Sequence, residues 1–308
     1  MTGQMDVFCP LRACAEIEPL ARAGARHFYA GVDAVVLGVR AATSPILNCR
    51  PWPGCNFEDE GSVRAACEIV GGLGGRLHLT FNWFDYRPWE VEAILAFLDR
   101  SPTLDGVVLA DLTLIARIRR EHPRLRIVLS TVAHAQNGRS VGFFRRLGVD
   151  QVVLPRHLTI DEIEGIVAAN PEVEFEAFVK NQDCHFSQGL CSYTHDVVDP
   201  ALPYQCGSVR GYLPSRPLSA AEQRALETLG VVVMRSCGVC AIADLHRAGV
   251  RMVKLVGREL PLEQKIRDLG FIRSAIDAIG SAVGPYPELV RRLHERTYSA
   301  GCHRDCMY

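Results

Sequence analysis

Twelve cysteines in 308 residues are the feature of this chain most able to do chemistry. Five of them fall in one stretch: Cys184, Cys191, Cys206, and then Cys237-Gly238-Val239-Cys240. Thiolates select iron–sulfur clusters or zinc over hard cations. In a chain of this length without secretory features, cysteines point to metal or redox chemistry rather than to a disulfide framework. The spacing is neither a compact ferredoxin run nor a pair of zinc-ribbon CxxC units, so inert buried thiols are the competing reading. Of the others, Cys67 falls in a helical apolar pattern and reads as core, and Cys49 and Cys55 read as inert loop thiols. Cys302-His303-Arg304-Asp305-Cys306 reads by default as a solvated tail.

A second set of polar residues stands just past the apolar runs: Asn82, Asp111, Ser130, Arg156, Lys180, Asn181 and Arg258. If those runs are parallel strands, these positions converge on one mouth. Asp111, Ser130, Arg156 and Arg258 are the candidate catalytic residues, the two arginines suited to grip a carboxylate or phosphate. His78, His134, His157, His185 and His195 read as hydrogen-bonding or surface residues rather than catalysts.

The elements that must hold these residues are legible as nine short apolar runs: Val7–Cys9, Ala34–Leu37, Leu77–Phe81, Gly106–Leu109, Arg126–Ser130, Gln151–Leu154, Glu174–Val179, Val231–Met234 and Met252–Val256. Most are flanked by helical patterns, and alternation of strand and helix implies a parallel sheet buried on both faces. The fold expected is a TIM-like (β/α)8 barrel with a Cys-rich insertion between strands seven and eight. The ninth run, Val231–Met234, is assigned to that insertion. Residues 1–260 form the barrel, with the insertion at 183–240, and residues 261–308 form C-terminal helices and a Cys-containing tail. Thr159 with Glu162 has the pattern of a capping box, and Gly148 and Gly249 stand where helices should stop.

Composition limits the partners. Thirty-four basic and thirty-five acidic residues leave a formal charge of −1, which supplies no global basic field for nucleic acid. No stretch reaches the ~18 apolar residues of a membrane span, and the N-terminus has no signal-peptide pattern, so a cytoplasmic location is expected.

Several segments are similar to a known family, the collagenase-like peptidases of unknown catalytic type. Val32-Asp33-Ala34-Val35-Val36-Leu37-Gly38 resembles the DAVYLG ending of its opening strand–helix–strand, and Asn56-Phe57 its NF before the next helix. Gly148 through Arg156 resembles its LGVxRVVLAR segment, and Ser130-Thr131 with Asn137 is similar to its STQ…N stretch. Cys184, Ser187, Gly189 and Cys191 resemble its most specific motif, and Lys254-Leu255-Val256-Gly257-Arg258 its closing strand, with Val256 where the family has an acid. The family includes iron–sulfur proteins of oxygen-independent ubiquinone hydroxylation, closest in size to this chain, and proteins that hydroxylate bases of ribosomal and transfer RNA.

The resemblance implies Cys184, Cys191, Cys206 and Cys240 as ligands of a [4Fe–4S] cluster. It further implies O2-independent hydroxylation, with a small aromatic or isoprenoid metabolite as substrate and a related subunit as a heterodimer partner. Nucleic acid is not expected, because the charge is near neutral. The alternatives are a peptidase, for which neither HExxH nor GxSxG is present, and a non-catalytic electron-transfer subunit.

Overall fold

The structure, a computed structural model, describes residues 5–38, 47–50, 54–181, 237–280, 284–298, 301–302 and 306–308. Its strands are β1 (Asp6–Leu11), β2 (His27–Val32), β3 (Asn56–Phe57), β4 (Arg76–Phe81), β5 (Gly106–Leu109), β6 (Arg126–Leu129), β7 (Gln151–Val153), β8 (Glu174–Lys180) and β9 (Met252–Leu255). All pair in parallel, in the order β1-β9-β8-β7-β6-β5-β4-β2, and β1 pairs back onto β2 to close the sheet. The two-residue β3 is an extra rung on the end of β2. The molecule is therefore a closed (β/α)8 barrel, and the long connection between its seventh strand, β8, and its eighth, β9, carries the expected insertion.

The strands alternate between two cores. Val7, Cys9, Leu77, Leu79, Val107, Leu109, Ile127 and Leu129 pack outward against the helices. Phe8, Tyr29, Val108, Val128, Val153, Phe178, Met252 and Val256 form a separate cluster inside the barrel. Both faces of every strand are covered, which is why the sequence runs are apolar throughout.

The helices are α1 (Ile17–Arg22), α2 (Glu60–Gly72), α3 (Pro88–Asp99), α4 (Leu112–Glu121), α5 (Gly138–Arg146), α6 (Ile160–Ala168), α7 (Ile242–Arg247), α8 (Leu262–Asp277) and α9 (Tyr286–Thr297). Thr159 and Glu162 form the reciprocal cap of α6. Gly148 and Gly249 take left-handed φ values of 92° and 96°, which end helices at little cost. Helix α8 packs along the barrel wall: Lys265 Nζ reaches buried Glu16 at 2.7 Å, and Arg273 Nη2 reaches Asp6 at 2.6 Å.

One expectation about the elements needs correction. Ala34–Leu37 is not a strand but a 3-10 turn, because Asp33 accepts from Val35 N at 3.0 Å and caps it. The strand is the preceding stretch, His27–Val32, whose register is fixed by β1 and β4 on either side. It contains the strand formers Phe28, Tyr29 and Val32, but Ala30 and Gly31 interrupt them. The C-terminal helices expected after residue 260 begin with one continuous helix, α8, which runs through Gly270. The run Val231–Met234 lies outside the described residues. Among the described residues no helix is long and apolar enough to cross a membrane.

Candidate active site at the barrel mouth

Arg258 anchors one side of the mouth. It follows Gly257, whose φ of 113° turns the chain inward off β9. Its side chain is buried, with Nη1 donating to Asn56 Oδ1 at 2.7 Å and Nη2 to Asn48 Oδ1 at 2.8 Å. Both acceptors are neutral amides, and its Nε has no hydrogen-bond partner among the described residues. Burial, then the charge of Arg50, pushes its pKa down to about 10. The mouth thus has an electropositive floor. Gly31 makes room for it, since a Cβ there would overlap both Arg258 Nη1 and Asn56 Oδ1. Beside it, Arg50 meets both carboxylate oxygens of Glu259 at 2.7 Å.

From Asn48 a hydrogen-bonded chain crosses to Ser130. Cys49 N donates to Asn82 Oδ1 at 3.0 Å, and Asn82 Nδ2 donates to Ser130 Oγ at 3.0 Å. The Cys49 thiol donates to Asn82 O at 3.4 Å, and burial pushes its pKa up to about 12. Ser130 Oγ also accepts from Val132 N at 3.3 Å, so its lone pairs serve the local turn. Ser130 and Arg258 therefore share one polar network through Asn82, Cys49 and Asn48.

The other two candidates differ. Asp111 is buried and spends its carboxylate on Leu114 N at 2.7 Å, which caps α4. Its position after β5 is as expected, but the group is occupied in holding the helix. Arg156 is half-buried after β7, and its charge is felt by the Tyr308 phenol. Trp83 and Phe84, which sequence reasoning passed over, stack at 4.6 Å and 28° in the loop after β4, with Phe84 exposed at the rim.

Below the mouth the barrel interior is not purely apolar. Lys254 Nζ pairs with Glu176 Oε1 at 2.7 Å, and Gln151 Nε2 donates to Glu176 Oε2 at 2.6 Å. Lys254 also lies 4.0 Å from the Tyr29 ring centroid and 4.4 Å from that of Phe8. His78 is not at a strand end but inside the barrel, edge-on to Phe8 at 5.1 Å. Neither of its nitrogens has a hydrogen-bond partner among the described residues, and burial drives its pKa down to about 3. Lys, Glu and His inside a strand of a parallel barrel leave no periodic signal that separates them from mouth residues.

Of the expected cluster ligands, Cys184, Cys191 and Cys206 lie outside the described residues. Cys240 is half-buried in the 3-10 turn Val239–Ala241, and its pKa is pushed up to about 12, first by burial and then by Cys306, Cys237 and Cys302. Among the described residues no three His, Cys, Asp or Glu side chains stand ready-arranged around a metal position.

Residues 21–304 match the model of Peptidase family U32. The chain belongs to peptidase family U32. This U32 chain is 36% identical over 168 residues to tRNA hydroxylation protein P of Haemophilus influenzae, covering 53% of the chain and 34% of that protein. The namesake protein of Escherichia coli matches at 36% over 168 residues, covering 53% of the chain and 35% of that protein. The chain thus spans about a third of the length of these curated relatives. Among solved structures, the U32 peptidase Mk0906 superposes with a TM-score of 0.50 at 16% identity, over 84% of this chain and 96% of that one. That similarity shows the fold alone.

Two sequence expectations change here. The relatives are tRNA hydroxylation proteins, not iron–sulfur proteins of ubiquinone hydroxylation. The expectation of a small-molecule substrate without nucleic acid is overturned by the same finding. Net charge is a sum over the whole surface, and RNA recognition through unstacked bases and shape does not require it to be positive.

Proposed function

We propose that this U32 chain takes part in hydroxylating a base of tRNA without molecular oxygen. The relatives named for tRNA hydroxylation support the substrate class. The observation in the molecule that carries the reading is the mouth itself: a buried cation and side-chain amides on its floor, with a stacked aromatic pair on its rim. Single-stranded bases are held by stacking on aromatic faces and by hydrogen bonds to their edges. Phe84 and Trp83 would stack a base presented to the rim, Asn82 and Ser130 would meet its polar edge, and Arg258 would hold an anionic group within the mouth.

Converting C–H to C–OH is a two-electron oxidation. An oxygen-donor molecule that gives up one oxygen atom balances it, leaving the reduced donor and the hydroxylated base. The resemblance to iron–sulfur members of the family suggests a [4Fe–4S] cluster held by Cys184, Cys191, Cys206 and Cys240. The four are thiols, soft donors that fit an iron–sulfur cluster and not a hard cation. Such a cluster would supply electron transfer.

The test is the modified-nucleoside content of tRNA from a deletion strain grown anaerobically, read by mass spectrometry. One hydroxylated nucleoside should be missing, restored by the wild-type gene, and not restored by Asn82→Ala/Ser130→Ala. A complete nucleoside set in the deletion strain would overturn the reading. Peptide cleavage by purified protein that survives in Asn82→Ala/Ser130→Ala, together with unchanged tRNA, would favour the peptidase alternative.

A further inference from the structure

Large apolar side chains left in water gather at one sector of the barrel mouth. Val35 lies in the 3-10 turn after β2, Phe84 and Trp89 follow β4, and Leu112 opens α4 after β5; all four are exposed. Strands β2, β4 and β5 are consecutive in the barrel, so these connections are neighbours at the same end. Helix α3 packs against the turn that carries Val35. Single exposed apolar residues need no explanation, but a set on adjacent loops marks a binding surface. At its centre is the segment from Trp83 to Trp89, in which Phe84 is 56% exposed and Trp89 42%. Arg87 stands between them, exposed and without an ion pair among the described residues. Nearby arginines differ: Arg100 is held by Glu60, and Arg117 by Glu92 and Glu121. Asp85 is exposed as well, so the segment carries no net charge.

The segment is fixed from beneath. Tyr86 is buried, its OH donating to Leu47 O at 2.5 Å and accepting from Trp83 N at 3.3 Å. Arg87 N donates to Glu90 Oε2 at 2.6 Å, and Pro88 opens α3. Trp83 backs Phe84 in their stacked pair. Aromatic faces held in place lose little freedom when a ligand stacks on them. We propose that Trp83–Trp89 is a platform for single-stranded RNA beside the target base, with Phe84 and Trp89 each stacking a base and Arg87 meeting a backbone phosphate. Every base has a π face and every linkage a negative charge, so two rings and a cation recognise a strand without reading its sequence. An unpaired guanidinium beside the rings favours such a polyanion over an apolar protein partner. The proposal rests on the reading of the mouth as a tRNA site and extends it to the neighbouring nucleotides.

The test is a fluorescence titration of the full chain with a short labelled single-stranded RNA over a series of salt concentrations. Trp89→Ala should weaken binding about 5- to 150-fold and leave the salt dependence unchanged, because it loses a stacked base and no phosphate contact. Arg87→Ala should weaken binding and make the slope of log affinity against log salt shallower by about 0.7, the share of one single-strand phosphate. Arg124→Ala, which removes an exposed arginine just before β6 at the opposite end of the barrel, should change neither. All three should melt like the wild type, since the side chains removed are exposed. Wild-type affinity and slope in both Trp89→Ala and Arg87→Ala would overturn the platform; a hydroxylated nucleoside still missing from the deletion strain would then leave the tRNA reading standing without it. Wild-type protein that binds no RNA, together with a complete nucleoside set in the deletion strain, would overturn both. Self-association of the wild type that is lost in Trp89→Ala by sedimentation, with RNA affinity unchanged, would overturn the platform in favour of an interface between chains.

Discussion

Glu176→Gln is a sharp probe of the barrel, because it removes one charge from a pair that has almost no access to water. Glu176 is fully buried and the Lys254 side chain is 10% exposed, with 2.7 Å between them. Deleting one partner of such a pair leaves an uncompensated buried charge and costs about 3–5 kcal/mol. For a domain of this size about 2–4 °C is lost per kcal/mol, so the midpoint should fall by roughly 6–20 °C. Glu176→Gln/Lys254→Met removes both charges and should recover most of the loss, since an apolar replacement of a buried pair is often neutral or stabilising.

The variant should also acquire a diagnostic pH dependence. Burial already lowers the Lys254 pKa, and Glu176 opposes that shift. Without Glu176 the native pKa falls further below the unfolded value. Between the two, the unfolded chain binds a proton that the native chain does not, so the stability of Glu176→Gln should rise with pH through that window. Urea unfolding of the three proteins from neutral to alkaline pH measures all of this. A loss below about 1 kcal/mol in Glu176→Gln, or a double variant less stable than the single one, would refute the buried-charge argument.

Other expectations are more local. His78 has its pKa lowered to about 3, so wild-type stability should fall as pH drops from its unfolded value near 6.5, and His78→Leu should flatten that acid slope in pH-dependent denaturation. Asp111→Ala should cost about 1 kcal/mol through the lost cap of α4 while Asp111→Asn costs little, and both should keep tRNA hydroxylation in a complementation assay if capping is the residue's role. Phe84→Ala should weaken binding of a short single-stranded RNA by about 1–3 kcal/mol in a fluorescence titration, with thermal stability unchanged because the ring is exposed.

The barrel was readable from sequence because its logic is repeated and local. Apolar runs separated by capped helices occur wherever both faces of a strand are covered, and the Thr159 cap and the Gly148 and Gly249 stops are written in three or four adjacent residues. Reading fails where two neighbouring apolar segments compete: His27–Val32 is the strand because β1 and β4 hold it, while Ala34–Leu37 is turned by Asp33. The mouth was legible in part. Arg258 and Ser130 stand at strand ends as expected, but Asn48, Cys49 and Asn82 join them only through contacts between loops.

The sequence by itself determined the alternation of strand and helix, the place of the insertion and the residue types available to the mouth. These follow from periodicity, caps and composition, which depend on neighbours along the chain. Only the tertiary structure decided that Lys254 and Glu176 face each other inside the barrel and that residue 306 returns to pair with Cys237. Such pairings join residues tens to hundreds of positions apart, and burial and charge act through space, so no local pattern encodes which distant side chain will arrive.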